Sequence, residues 1–161
     1  MKVLKWLDKH LEEIFLVAIL VAIVVVMLYQ IIRRYVFNSS LTWSEEFCRY
    51  AFTWFIFIAY SYSIRLGSEL RVDAVIAMLP GKVRKVMDLV LILFGLVFSA
   101  YLFLQSFPLV INCAATGELS PGMGIPKYWV YLAAIVGFGL GTLRYAQVLV
   151  KKLTAKEETP A

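Results

Sequence analysis

Four apolar stretches, at about residues 14–32, 47–66, 86–107 and 128–150, occupy most of this 161-residue chain, and almost no charge lies in their middles. About 20 helical residues at about 1.5 Å rise cross a hydrocarbon layer of about 30 Å, so each stretch has the length of a membrane span. With 61% hydrophobic residues the chain is too apolar to cover its own surface in water. The termini and connections are too small for a soluble catalytic domain. The expectation is an all-α integral membrane protein: one domain over residues 1–161, four transmembrane helices forming a bundle, and no cofactor.

Positive residues near span ends resist translocation and mark the cytoplasmic side. Twelve lie in the N-terminal segment, the second connection and the C-terminal end: Lys2, Lys5, Lys9, Arg65, Arg71, Lys82, Arg84, Lys85, Arg144, Lys151, Lys152 and Lys156. The opposite side has Arg33, Arg34 and Lys127. Both termini are therefore expected in the cytoplasm, and the net charge of +5 reads as topology and contact with anionic membrane lipids, not nucleic-acid binding. The first apolar run exceeds a signal-peptide core and ends in Ile31-Ile32-Arg33-Arg34 instead of a cleavage site, so it should persist as a helix.

Residues 2–13 are expected to lie at headgroup level as a solvated amphipathic turn ahead of the first span. Before the second span, Thr42-Trp43-Ser44-Glu45 has the form of a capping box with Thr42 at the N-cap. Glu45 stands four residues from Arg49, which makes it the expected principal partner of that guanidinium; a neighbouring subunit could supply another. Val72, Val75, Ile76 and Leu79 repeat at helical spacing up to Pro80-Gly81, predicting a short amphipathic helix on the cytoplasmic face with Arg71 and Asp73 near its start. Gly95 and Ser99, and Ala133, Gly137 and Gly141, recur every four residues, the pattern of close helix approach in lipid. The third connection is expected to run from Pro108 to Lys127, with turn chemistry at Gly117, Ser120-Pro121-Gly122, Gly124 and Pro126. Cys48 and Cys113 both fall toward the outer face, where an oxidising periplasm permits a disulfide, but two free buried thiols are the favoured expectation.

No P-loop, HExxH, CxxC or GxSxG motif is present, and the single histidine, His10, stands at the N-terminal edge. Asp88, Arg49, Arg65 and Arg144 all lie within a few residues of a span end. A chain that carried a polar solute or a proton by itself would need an ionisable group deep in a span. The pattern points to an accessory subunit of a larger assembly; the competing readings are a self-sufficient small homodimeric transporter and, less favoured, a membrane enzyme.

The run Trp43-Ser-Glu-Glu-Phe-Cys-Arg49 followed by Trp54, then Leu70-Arg71-Val72-Asp73 leading to Leu79-Pro80, then Gly124-Ile125-Pro126 with Trp129, resembles the small membrane subunit, DctQ-like, of tripartite ATP-independent periplasmic (TRAP) transporters. The resemblance implies a sodium-coupled carrier of the bacterial inner membrane in which a periplasmic binding protein delivers an organic acid, such as a sialic acid or a C4-dicarboxylate, to a large multi-span membrane subunit. This chain would be its non-catalytic scaffold. By that resemblance Trp43, Glu45, Glu46, Arg49, Trp54, Pro126 and Trp129 would be structural or subunit-contact residues, and Arg71 and Asp73 would set the cytoplasmic surface helix. The polar tail Lys156-Glu-Glu-Thr-Pro-Ala is expected to close a separate polypeptide.

Overall fold

The computed structural model describes residues 2–39, 41–66 and 81–154. The described residues form four helices: α1 (Lys2–Val36), α2 (Thr42–Leu66), α3 (Gly81–Thr116) and α4 (Tyr128–Thr154). The expected cytoplasmic-face helix, with Arg71 and Asp73, lies outside the described residues.

Three helices contain segments long and apolar enough to cross a membrane: Glu12–Val36, Val86–Thr116 and Tyr128–Lys152. The fourth, α2, has a comparable 25 residues. Its Ser44, Glu45, Glu46, Arg49, Thr53, Ser61 and Ser63 make it more polar than the other three.

Two helices overrun the apolar stretches that announce them. α1 runs unbroken from Lys2, so the expected headgroup turn and the first span are one helix. Pro108 does not end α3, which continues to Thr116. Proline removes one backbone donor, but in an apolar helix of membrane-spanning length the other residues gain nothing by exposing theirs, so the helix runs on. The third connection therefore shortens to residues 117–127. After α1, Asn38 adopts φ +50° and the Ser39 amide donates to the Arg33 carbonyl at 3.1 Å, turning the chain toward α2.

The helices do not close into the expected bundle. α1 packs on α2, α2 on α4 and α4 on α3, while among the described residues no other pair brings Cα atoms within 8 Å. The order across the molecule is α1–α2–α4–α3, an open row with α4 flanked on two sides. Glycine allows this. A Cβ on Gly137 would stand 2.6 Å from Phe57 Cβ and 2.8 Å from the Phe57 carbonyl oxygen, so α2 and α4 meet almost backbone to backbone. The small residues of α4 thus receive α2, whereas Gly95 and Ser99 of α3 face Tyr145 and Phe138 of α4. Ser99 Oγ donates to the Phe138 carbonyl at 3.2 Å, with Thr142 Oγ1 3.1 Å away. Ile64, Ile92 and Tyr145 form a small buried cluster joining α2, α3 and α4.

Candidate functional site

The α1–α2 and α3–α4 connections lie at one end of the row, here called the hairpin end, and it gathers Trp43, Glu45, Glu46, Arg49, Pro126 and Trp129. Ser44 Oγ donates to the Leu41 carbonyl at 2.8 Å and anchors the first turn of α2. The capping-box geometry is not adopted: Glu45 Oε1 instead accepts from Gln30 Nε2 of α1 at 3.2 Å. Arg49 pairs with Glu46, at 3.8 Å, and not principally with Glu45, because Glu45 is drawn sideways to α1 while Glu46 lies on the loop side of the helix. The Arg49 guanidinium also stands 5.8 Å over the Tyr50 ring and is 68% exposed.

Glu46 is buried, and its Oε2 is the anchor of the α3–α4 loop. Ser120 Oγ donates to it, as do the amides of Gly122 at 2.9 Å and Met123 at 3.0 Å. An ionised carboxylate only accepts, so three donors converging on one oxygen satisfy it without water. The loop is shaped to deliver them. The Ser120 amide donates to Ile125 O at 2.8 Å, the Gly124 amide to Ser120 O at 2.9 Å and the Lys127 amide to Glu118 O at 3.0 Å. Gly124 takes φ +67°, which glycine adopts without steric cost. A Cβ on Gly122 would approach Glu46 Oε2 to 2.9 Å and Thr42 O to 3.0 Å. Lys127 Nζ bonds Glu118 Oε2 at 3.0 Å, and this hydrogen bond holds the Lys127 pKa above its ordinary value.

Beside this latch lies a shallow cleft of about 350 Å³ lined by Glu46, Arg49, Tyr50, Pro121, Lys127, Val130 and Tyr131. Trp129 is exposed and stacks on Tyr128 at 5.7 Å, while Trp43 is exposed and meets Phe47 edge to face. Pro126 is half-buried in the loop, and Trp54 is half-buried three turns along α2, away from the others. Cys48 and Cys113 are free; Cys48 is buried, with its Sγ 3.9 Å from the Ile23 carbonyl.

At the opposite, terminal end a second set of charges joins three helices. Glu12 of α1 accepts from Arg144 Nη2 of α4 at 2.5 Å and from Arg65 Nη1 of α2 at 3.4 Å, with the Glu12 side chain 13% exposed. Glu12 is thus a cross-link and not the solvated headgroup residue expected for positions 2–13. Lys152 of α4 reaches Asp88 of α3 at 3.2 Å. Ser120, Gly122, Met123 and Glu12 were not legible as site residues. The acidic pair Glu12-Glu13 ahead of an aliphatic run, and the turn residues Ser120-Pro121-Gly122, were the available sequence signals, and neither named a partner.

Residues 23–155 match the family described as tripartite ATP-independent periplasmic transporters, DctQ component. The chain is 32% identical over 139 residues to a putative TRAP transporter small permease protein of Haemophilus influenzae, covering 84% of this chain and 81% of that protein. It is 30% identical over 153 residues to the isethionate TRAP transporter permease protein DctMQ of Oleidesulfovibrio alaskensis, covering 91% of this chain but 24% of that protein. Over 159 residues it is 28% identical to the sialic acid TRAP transporter permease protein SiaT of another H. influenzae strain, covering 98% of this chain and 25% of that protein. The chain therefore spans about a quarter of the length of the two longer relatives and most of the length of the small permease. With four helices, charge confined to their ends and a family match over most of its length, the chain belongs to the DctQ family of TRAP transporter components.

Proposed function

We propose that this protein is the non-catalytic scaffold subunit of a sodium-coupled, binding-protein-dependent carrier for an organic acid in the bacterial inner membrane. The observation that carries the reading is the placement of charge. No Asp, Glu, Lys or Arg occurs in residues 14–32, 50–64, 89–117 or 128–143, and the charges at the helix ends tie helices and loops of this same chain together. A fixed scaffold needs that arrangement; a carrier needs a polar group it can offer to its cargo. The partner is a large multi-span membrane subunit, since two relatives are permeases of which this chain matches about a quarter. The small-permease names of the other relatives favour this reading over a self-sufficient homodimer.

In this reading α2 also crosses the membrane, because it lies between α1 and α4 over a comparable length. Both termini are cytoplasmic, by the Lys/Arg distribution, and the hairpin end is periplasmic. Lipid headgroups meet Trp43, Trp129 and the tyrosines of the periplasmic end, where amphipathic rings settle. Arg49, exposed on α2 at that end, is a subunit contact in this reading, while Glu46 and Pro126 shape the loop beside it. Glu45 and Trp54 support α2, and Arg71 and Asp73 belong to the cytoplasmic surface. The carried solute is an organic acid of the sialic acid or C4-dicarboxylate class, recognised by the other subunits. Purified alone in liposomes the chain is expected to show no sodium-driven uptake of such acids, with uptake appearing when the large subunit and a periplasmic binding protein are added. Uptake by the chain alone would overturn the scaffold role.

A further inference from the structure

Polar atoms in the middle of a membrane segment and facing away from their own protein need a partner, because lipid tails offer none. α3 carries such a place. Its Ile92, Ser99 and Ser106, seven residues apart, are buried against the rest of the row. On another face, Phe94, Phe98, Tyr101, Gln105 and Asn112 are all exposed. Tyr101 is the central residue of the apolar segment Val86–Thr116 and is 56% exposed. Gln105 lies one turn further, about 6 Å along the axis. The depth agrees with α4, where Gly139, near the middle of Tyr128–Lys152, faces Phe103 of α3.

Gln105 Nε2 donates to the Tyr101 hydroxyl at 3.2 Å. The amide has a second N–H and a carbonyl oxygen, and among the described residues neither finds a partner; the Tyr101 O–H, accepting from Gln105, retains its own proton to donate. Phe94 and Phe98 stack beside the pair, with centroids 6.0 Å apart and planes 4° from parallel. The spacing 94, 98, 101, 105, 112 is that of anchors along one helix face.

The geometry points to this face of α3 as the seat of a transmembrane helix of the large membrane subunit, one that carries a hydrogen-bonding group at mid-membrane depth to meet Tyr101 and Gln105. The inference rests on the scaffold reading above. The large subunit is favoured over a second copy of this chain because the DctMQ and SiaT permeases hold the region similar to this chain in one polypeptide, of which about three quarters lies outside that region. In such a polypeptide the further segments are always present beside this one.

The test uses the full chain co-expressed with its large subunit and a photoreactive benzoylphenylalanine placed at Phe98, Tyr101, Phe15 of α1 or Phe52 of α2. Illumination is expected to join the two subunits from positions 98 and 101. Adducts with the large subunit from positions 15 or 52 only would overturn the placement while leaving the scaffold reading intact, and so would adducts from 98 and 101 that contain only a second copy of this chain. Failure of the unsubstituted chain to retain the large subunit at all would overturn the scaffold reading itself. Gln105→Leu, which suits lipid better than glutamine and leaves the seam of α3 untouched, is expected to weaken recovery of the large subunit about threefold to tenfold. Unchanged recovery would show that the amide meets no partner.

Discussion

Glu46 and Gly122 depend on each other. The carboxylate takes three donors from a loop more than seventy residues away, and the loop can come that close only because residue 122 has no side chain. Spacing along α2 favoured Glu45 as the partner of Arg49, and the expected outcome of substitution reverses with it. Glu46→Gln removes the charge that gathers Ser120, Gly122 and Met123, whereas Glu45→Gln touches only a bond to Gln30. Glu46→Gln is therefore expected to lower the melting temperature and speed proteolysis in residues 117–127, with Glu45→Gln close to wild type. Gly122→Ala should act like Glu46→Gln and cost about 1–3 kcal/mol, because the new methyl meets both the carboxylate and a backbone oxygen. Equal effects of Glu45→Gln and Glu46→Gln would remove Glu46 from its place as the loop's anchor.

Among the elements, α4 holds the row together. Its glycines admit α2 on one side, its Phe138 carbonyl accepts from Ser99 of α3 on the other, and its terminal half carries Arg144 and Lys152 to Glu12 and Asp88. Among the described residues α1, by contrast, packs only on α2, and most of the apolar side chains of its segment Glu12–Val36 are exposed. The Glu12–Arg144 bond is what ties α1 beyond its neighbour. Taking one partner from a largely buried ion pair leaves the other uncompensated, so Glu12→Ala is expected to cost about 3 kcal/mol. The loss should appear as a lower denaturation midpoint in detergent, and Glu12→Ala combined with Arg144→Met should lose less than the two separate losses added. Strict additivity would mean that the two side chains do not act on each other.

At the scale of the whole molecule, an open row has two broad faces and two edges, where a closed bundle would have one continuous outer surface. That shape suits a part which lies along a larger membrane protein. With the orientation proposed from the Lys/Arg distribution, single cysteines placed in residues 151–161 of a chain lacking Cys48 and Cys113 are expected to react with membrane-impermeant reagents only after the membrane is opened. Cysteines in residues 117–124 should react from outside in intact spheroplasts. Labelling of 151–161 from outside would invert the topology.

Much of this was written in the sequence because lipid enforces it. A helix must satisfy its own backbone in hydrocarbon, so long apolar runs name helices almost without reference to the rest of the fold. Their ends were less legible: Pro108 and the polar residues 2–13 read as boundaries, yet α3 and α1 run through them. Gly95 and Ser99, and Gly137 and Gly141, announced close approach without saying to which neighbour, because a small residue marks where a backbone can come near and carries no label for whose. The partner choices of Glu12, Glu46 and Arg49 were decided only by the tertiary structure. A charge near a helix end has several groups within reach along its own helix; the folding of α4 and of loop 117–127 against α2 brings the donors to Glu12 and Glu46, and α1 draws Glu45 away from Arg49.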